Sequence, residues 1–285
     1  MPVSESPDRA GTMAGRAWRF AGIGLTLALL VVLGRMLYQR WQELPVEMLE
    51  PSWGRAGVAI ALLLISSASS ALQWRRTLRA LGHPLSVVDA LCIHFFSQVG
   101  KYLPGRVLLV VGKVMLATRQ GLPVQAVTAS VLYEQAFFLM SGALSALVFT
   151  GLASADLIGL NRPIVLAVCF AGFALLHPAA MGQIIRGVRW ASRSDLAVPA
   201  LSYGATLRLL VGYCLPWFLS CCAFFVFVTS FTPIELRAFP DMAAAVVLST
   251  ILGLVSLFAP AGLGVREAAL TALLSVYFPL PVSVA

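Results

Sequence analysis

Charge is scarce in this chain, and that scarcity excludes most of what a protein of 285 residues could be. Aspartate, glutamate, lysine and arginine make up 11% of it against 59% hydrophobic residues, with a mean hydropathy of +0.89. Soluble domains carry about 25% charge, so a soluble fold is excluded. Histidine occurs three times, which leaves no His-rich metal cluster. The cysteines, Cys92, Cys169, Cys214, Cys221 and Cys222, lie inside apolar stretches without the paired spacing of a zinc site, and read as buried thiols rather than disulfides or ligands. A Walker A sequence, a dinucleotide glycine fingerprint and a nucleophile elbow are also missing. ATP-driven pumping by this chain alone is disfavoured, and no catalytic residue, metal or cofactor is assigned. The alternating segments of about ten residues that mark a β-barrel are lacking as well.

What is present is continuous apolar sequence. The fold class is all-α, a polytopic helical membrane protein, with helices expected at about 18–38, 55–73, 124–151, 163–185, 204–229 and 241–258. Shorter apolar pieces fall at about 87–99, 106–118 and 266–278. The formal charge of +8 sits mainly in short loops and at helix ends, so it reads as topology signal and attraction to anionic lipid rather than to nucleic acid. Arg9, Arg16 and Arg19 precede an apolar run from Phe20 to Leu33 as in a signal peptide, but no small-x-small cleavage site precedes Arg35. The run is therefore taken as an uncleaved first helix, with residues 1–15 a disordered cytoplasmic tail and 16–285 a single transmembrane domain. The run SSASSA, Ser66 to Ala71, reads as a close helix-packing interface.

Loop charge sets the orientation. The segments with Arg75, Arg76 and Arg79 and with Arg186, Arg189 and Arg193 are expected in the cytoplasm, and the stretch with Glu43, Glu47 and Glu50 outside. The N-terminus is then inside. Only a segment 87–118 that enters and leaves on the cytoplasmic side keeps both arginine clusters there. Each arm is about 18 Å long, short of a hydrocarbon core of about 30 Å, so the sequence predicts a re-entrant hairpin with its tip near mid-membrane. The region 241–278, broken at FAPAGLGVRE, is a second candidate of opposite orientation, which would make an inverted repeat. Two full helices joined by a cytoplasmic Pro-Gly loop remain the alternative there.

The first break, QVGKYLPGR, sets Lys101 and Arg106 around Pro104-Gly105, so that a cation and free N–H groups open the second arm. That arrangement suits a phosphate, while two cations snorkelling around an ordinary loop is the blander reading. Gln98, Tyr102 and His94 are placed to hydrogen-bond a headgroup, with a packing role the favoured reading for His94; Lys113 and Arg208 either extend a basic path toward the cytoplasm or, as favoured, snorkel. In the second break Pro260, Gly262 and Gly264 precede Arg266, a cation that requires an anion, and Glu267, which either caps the next helix or has a functional role. Glu134 interrupts a long apolar span and is expected deep in the membrane. Its expected partner is Lys101, Arg106 or Arg266, or a proton as cargo, and a purely structural ion pair stays open. Asp156 and Asp241 read as loop or cap residues.

At these residues the chain resembles a known family. QVGKYLPGR, SVLYEQ around Glu134 and PAGLGVREAAL, Pro260 to Leu270, look like the three signature stretches of the lysylphosphatidylglycerol synthase transmembrane region family, also called flippase-like. The likeness spans nearly the whole chain. Ala261 stands where the family commonly has Gly, and members commonly continue into another helix beyond the third stretch. The resemblance implies a membrane module that, in the fused synthases, is associated with moving aminoacylated phosphatidylglycerol between leaflets. Some stand-alone members are linked to hopanoid or lipid-linked sugar pathways. No soluble aminoacyl-transferase domain follows here, so synthase activity is not carried over. The expected function is a lipid translocase or lipid-binding transporter in a bacterial-type inner membrane. Its partners are membrane phospholipids, with a lipid-modifying enzyme or a homo-oligomer beside them. An intramembrane enzyme acting on polyprenyl- or phospholipid-linked substrates, or a scaffold of a lipid-modifying complex, is the alternative.

Overall fold

The structure, a computed structural model, describes residues 35, 51–98, 107–153, 201–255, 262 and 264–275. Helix is the only regular structure among them. The helices are α1 (Trp53–Ala80), α2 (Val87–Gln98), α3 (Val107–Thr118), α4 (Val124–Leu152), α5 (Tyr203–Val228), α6 (Phe239–Val255) and α7 (Val265–Leu274). Among the described residues four stretches are long and apolar enough to cross a membrane, namely α1, α4, α5 and the run Leu236–Leu254 that holds α6. The spans expected at 18–38 and 163–185, the tail 1–15 and the tip of the first break lie outside the described residues.

Local chemistry sets the helix ends. Ser86 starts α2, its hydroxyl accepting from the Asp89 N–H at 3.0 Å and donating to the Asp89 carboxylate at 2.5 Å. Ser202 starts α5, accepting from the Ala205 N–H at 3.3 Å. α1 runs seven residues past the expected end at 73, through the arginines, because its last turns carry Gln73, Trp74, Thr77 and Leu78 on a buried face. The arginines leave that face: Nε of Arg75 donates to the Leu85 carbonyl at 2.7 Å, and Arg76 and Arg79 are exposed.

α1 and α5 lie antiparallel. The Ser52 N–H donates to the Ser230 carbonyl at 2.8 Å at one end, and near the other Gly212 of α5 touches the Gln73 side chain so closely that no Cβ fits. Between them the Ser66 hydroxyl donates to the carbonyl of Pro216, within α5, at 2.7 Å and meets the Ser220 hydroxyl at 2.8 Å. The SSASSA run is thus a packing interface, with a serine bonding next to a proline that breaks the helical ladder. α4 crosses the bundle beside them, with Gly142 against the Trp217 ring and Phe138 stacked on it at 4.5 Å between centroids.

α2 with α3, and α6 with α7, form two helix pairs that start from opposite ends of this bundle. Leu78 of α1, Leu85 before α2, Ala117 of α3 and Val127 of α4 share one core cluster, so the first hairpin begins and ends where α1 finishes and α4 starts. That end carries Arg75, Arg76, Arg79, Arg119 and Arg208. At the other end Leu274, closing α7, packs with Met242 at the start of α6 and with Phe225 and Val228 of α5. The second hairpin therefore begins and ends there. α6 is its inner arm, with Met242 to Val247 all buried against α4 and α5. Gly262, in the break, folds back onto the Gly253 backbone at the far end of α6 in a contact too close for any Cβ.

The cysteine expectation needs correction. Cys221 is buried, but Cys92 is exposed on α2 and Cys214 and Cys222 are half-buried; Cys169 lies outside the described residues. An apolar stretch that crosses lipid is apolar on its outer face too, so hydropathy does not report burial in protein.

Candidate functional site: a buried ion pair beneath the first hairpin

Four helices bring their polar side chains to one point. Lys113 of α3, 1% exposed, points at Glu134 of α4, 6% exposed, with Nζ 2.7 Å from both carboxylate oxygens. α2 adds His94, also buried, whose Nδ1 lies 3.4 Å from Nζ and 3.8 Å from Oε1 of Glu134. α1 closes the cluster with Trp74, whose ring centroid is 4.3 Å from Nζ in a cation–π contact, and whose indole N–H donates to the Ser130 hydroxyl at 3.0 Å. The Tyr213 ring of α5 stacks on Phe137, one turn beyond Glu134, with 5.7 Å between centroids.

The network reaches the first break. Gln98, the last residue of α2, places its side-chain amide 3.0 Å from Nε2 of His94. The atom at that distance is the amide nitrogen of Gln98, which donates to Nε2 in the tautomer that protonates Nδ1. A polar chain thus runs from Glu134 through Lys113 and His94 to the residue that precedes 99–106.

Of the residues singled out in the sequence, the structure joins Glu134 and Gln98 through this chain. Lys101, Tyr102, Pro104, Gly105, Arg106 and Pro260 lie outside the described residues. Arg266 and Glu267 are exposed in the first turn of α7, and no hydrogen bond or ion pair among the described residues links them to Glu134. Glu267 Oε2 accepts from the Gly264 N–H at 2.7 Å, which makes it a helix cap. Gly262 and Gly264 take left-handed φ angles of 74° and 84°. Asp241 is buried in the first turn of α6.

Two expectations change. Among the described residues Glu134 pairs with Lys113 and not with Arg266, and the other two expected partners, Lys101 and Arg106, lie outside them. Lys113 is buried rather than snorkelling to an interface. Sequence arithmetic contains a signal for this pairing. Lys113 lies five residues from the end of α3 and Glu134 ten from the start of α4. At 1.5 Å per residue those depths are about 8 Å and about 15 Å, a gap that a lysine side chain spans.

The comparisons with known proteins agree with this architecture. The family model described as Lysylphosphatidylglycerol synthase TM region matches residues 19–285, and the chain belongs to that family. No curated protein matches the chain closely enough to count as a relative. Family and apolar helices together make it a membrane protein of a lipid-acting family.

Proposed function

We propose that this member of the lysylphosphatidylglycerol synthase TM region family is a flippase-like lipid translocase or lipid-binding transporter. Its central cavity takes an anionic or aminoacylated phospholipid headgroup. The observation that carries this is the pair of helical arms starting from each end of the bundle, with a Pro- and Gly-containing break that holds Lys101 and Arg106 in the first and is followed by Arg266 in the second. Arms of twelve residues in α2 and α3 reach about 18 Å, well short of a core of about 30 Å, which supports a re-entrant first hairpin. α7, with ten residues, is short as well, but its partner arm lies in the run Leu236–Leu254, which is long enough to cross, so two full helices remain the alternative for the second hairpin of an inverted repeat.

Irregular backbone at that depth is stable only inside protein or beside water, and cations there need anions. A headgroup phosphate meets both demands, held by Lys101, Arg106 and Arg266 with Gln98 and Tyr102 as hydrogen-bonding neighbours. Lys113 extends the cationic lining inward from the first break. Glu134 and Glu267 organise the cations or receive an amino group on the lipid. Pro104, Gly105, Pro260, Gly262 and Gly264 supply the turns that bring backbone close to the ligand. Moving a polar headgroup through hydrocarbon is costly, and a cation-lined groove lowers that barrier while the acyl tails stay in lipid.

The basic end of the bundle faces the cytoplasm by the positive-inside rule, with the N-terminus on the same side and the chain in a bacterial-type inner membrane. Membrane phospholipids are its partners, alongside a lipid-modifying enzyme or a second copy of the chain. The test is transfer of headgroup-labelled lipid in proteoliposomes by the intact chain and by Arg106→Ala. Transfer above empty vesicles that the substitution abolishes is expected. No transfer of any anionic, zwitterionic or aminoacylated lipid by folded protein would sink the autonomous translocase.

A further inference from the structure

We infer that Arg76 of α1 and Arg208 of α5 hold the phosphate of an anionic phospholipid at the rim of the bundle, a site separate from the central cavity and independent of lipid transfer. The antiparallel register, Ser52 against Ser230 and Ser66 against Pro216 and Ser220, sets Arg76 level with Arg208. Side-chain contacts bring them to one seam. Nη1 of Arg76 donates to Oε1 of Gln73 at 3.2 Å, and that oxygen stands where a Cβ on Gly212 would be. Arg208 lies one turn from Gly212 on the same face of α5. Its Nε donates to the Gly204 carbonyl at 3.1 Å, so each of these contacts engages one of five guanidinium N–H donors.

Both arginines sit at the depth of lipid phosphates. α1 has 28 residues, about 42 Å, which exceeds a hydrocarbon core of about 30 Å by a headgroup layer at each end. Arg76 is about 6 Å from the end of α1 and Arg208 about 8 Å from the start of α5. Each is exposed. Among the described residues no carboxylate pairs with either. Asp89 accepts from Ser86, Glu134 from Lys113 and Glu267 from the Gly264 N–H, while Glu235 pairs with Arg237 and Asp241 is buried in α6.

The surface beside the pair suits hydrocarbon. From the level of Arg208, α5 exposes Leu207, Val211, Leu215 and Phe218, three or four residues apart on one face. A phosphate joined to an acyl chain matches both features, because guanidinium binds phosphate bidentately and the strip covers the chain. Phosphatidylglycerol brings that charge uncompensated, whereas the choline of phosphatidylcholine places a further cation beside the arginines. Two arginines that serve only as topology signals would show no such preference.

The test is native mass spectrometry of the full chain, ejected from nanodiscs of equal phosphatidylglycerol and phosphatidylcholine. Arg76→Gln/Arg208→Gln is expected to retain one phosphatidylglycerol fewer than the natural chain, with unchanged thermal unfolding. Arg79→Gln/Arg119→Gln, which removes the same charge from the same end, is expected to retain as many as the natural chain. Arg208→Gln alone leaves the Arg76–Gln73 contact in place and is expected to weaken the retained lipid about tenfold in Kd. This single variant carries the test if the double variant fails to fold. Equal retention by the natural chain and Arg76→Gln/Arg208→Gln, equal loss from both double variants, or no preference for phosphatidylglycerol over phosphatidylcholine overturns the site. Displacement of the retained lipid by an equal concentration of glycerol 3-phosphate overturns the lipid as ligand in favour of a soluble phosphate. Because retention is read without transfer, a chain that moves no lipid contradicts the translocase and leaves this site standing.

Discussion

Lys113 shows how a single residue changes meaning between sequence and structure. Within VLLVVGKVMLAT it resembles any cation that extends toward an interface, and only the fold of α3 against α4 makes it the partner of Glu134. Glu134 itself was legible, because a carboxylate deep in an apolar span needs a partner or a proton whatever the fold. Glu267 carried two meanings in sequence, and its bond to the Gly264 N–H makes it a cap without deciding the second. A buried pair is costly to halve and cheap to remove whole. Lys113→Met is therefore expected to destabilise the chain by about 3–5 kcal/mol, since it strands the carboxylate. The double variant with Glu134→Gln is expected to recover most of that loss. Thermal unfolding in nanodiscs checks both, and strictly additive single effects would show that the two residues do not act as a pair.

At the scale of elements, the sequence located every described helix, because long apolar runs bounded by charge or by Pro and Gly leave few alternatives in lipid. The boundaries moved where a buried stripe continued past the hydropathy limit, as it does through Trp74 and Leu78 in α1. Less legible was the second break, where a hairpin and a pair of full helices share the same composition. Leu274 beside Met242 and Gly262 against Gly253 fold α7 back along α6, as both arrangements require. Helix α2 starts and α3 ends at the basic end of the bundle. Cysteines placed at His83 and at Gln120, in a background cleared of native thiols, are thus expected to react with a membrane-impermeant maleimide from the same side in oriented vesicles. Reaction from opposite sides would make 87–118 a single crossing and end the re-entrant account.

For the whole molecule, under the translocase proposal, the Pro- and Gly-containing breaks that carry Lys101, Arg106 and Arg266 lie within an otherwise apolar bundle of α1, α4 and α5. The bundle itself needs no such breaks for stability, since α1, α4 and α5 pack through small residues, aromatic rings and serine hydroxyls. Their cost is explained by a ligand that brings negative charge and takes its polar head through hydrocarbon. The most direct measurement is the ratio of transfer rates for headgroup-labelled phosphatidylglycerol and phosphatidylcholine in proteoliposomes holding the intact chain. A cation-lined path moves the anionic lipid several-fold faster than the zwitterionic one, above empty vesicles. Equal rates for the two lipids, or none above the vesicle background, would contradict a headgroup site built from these cations.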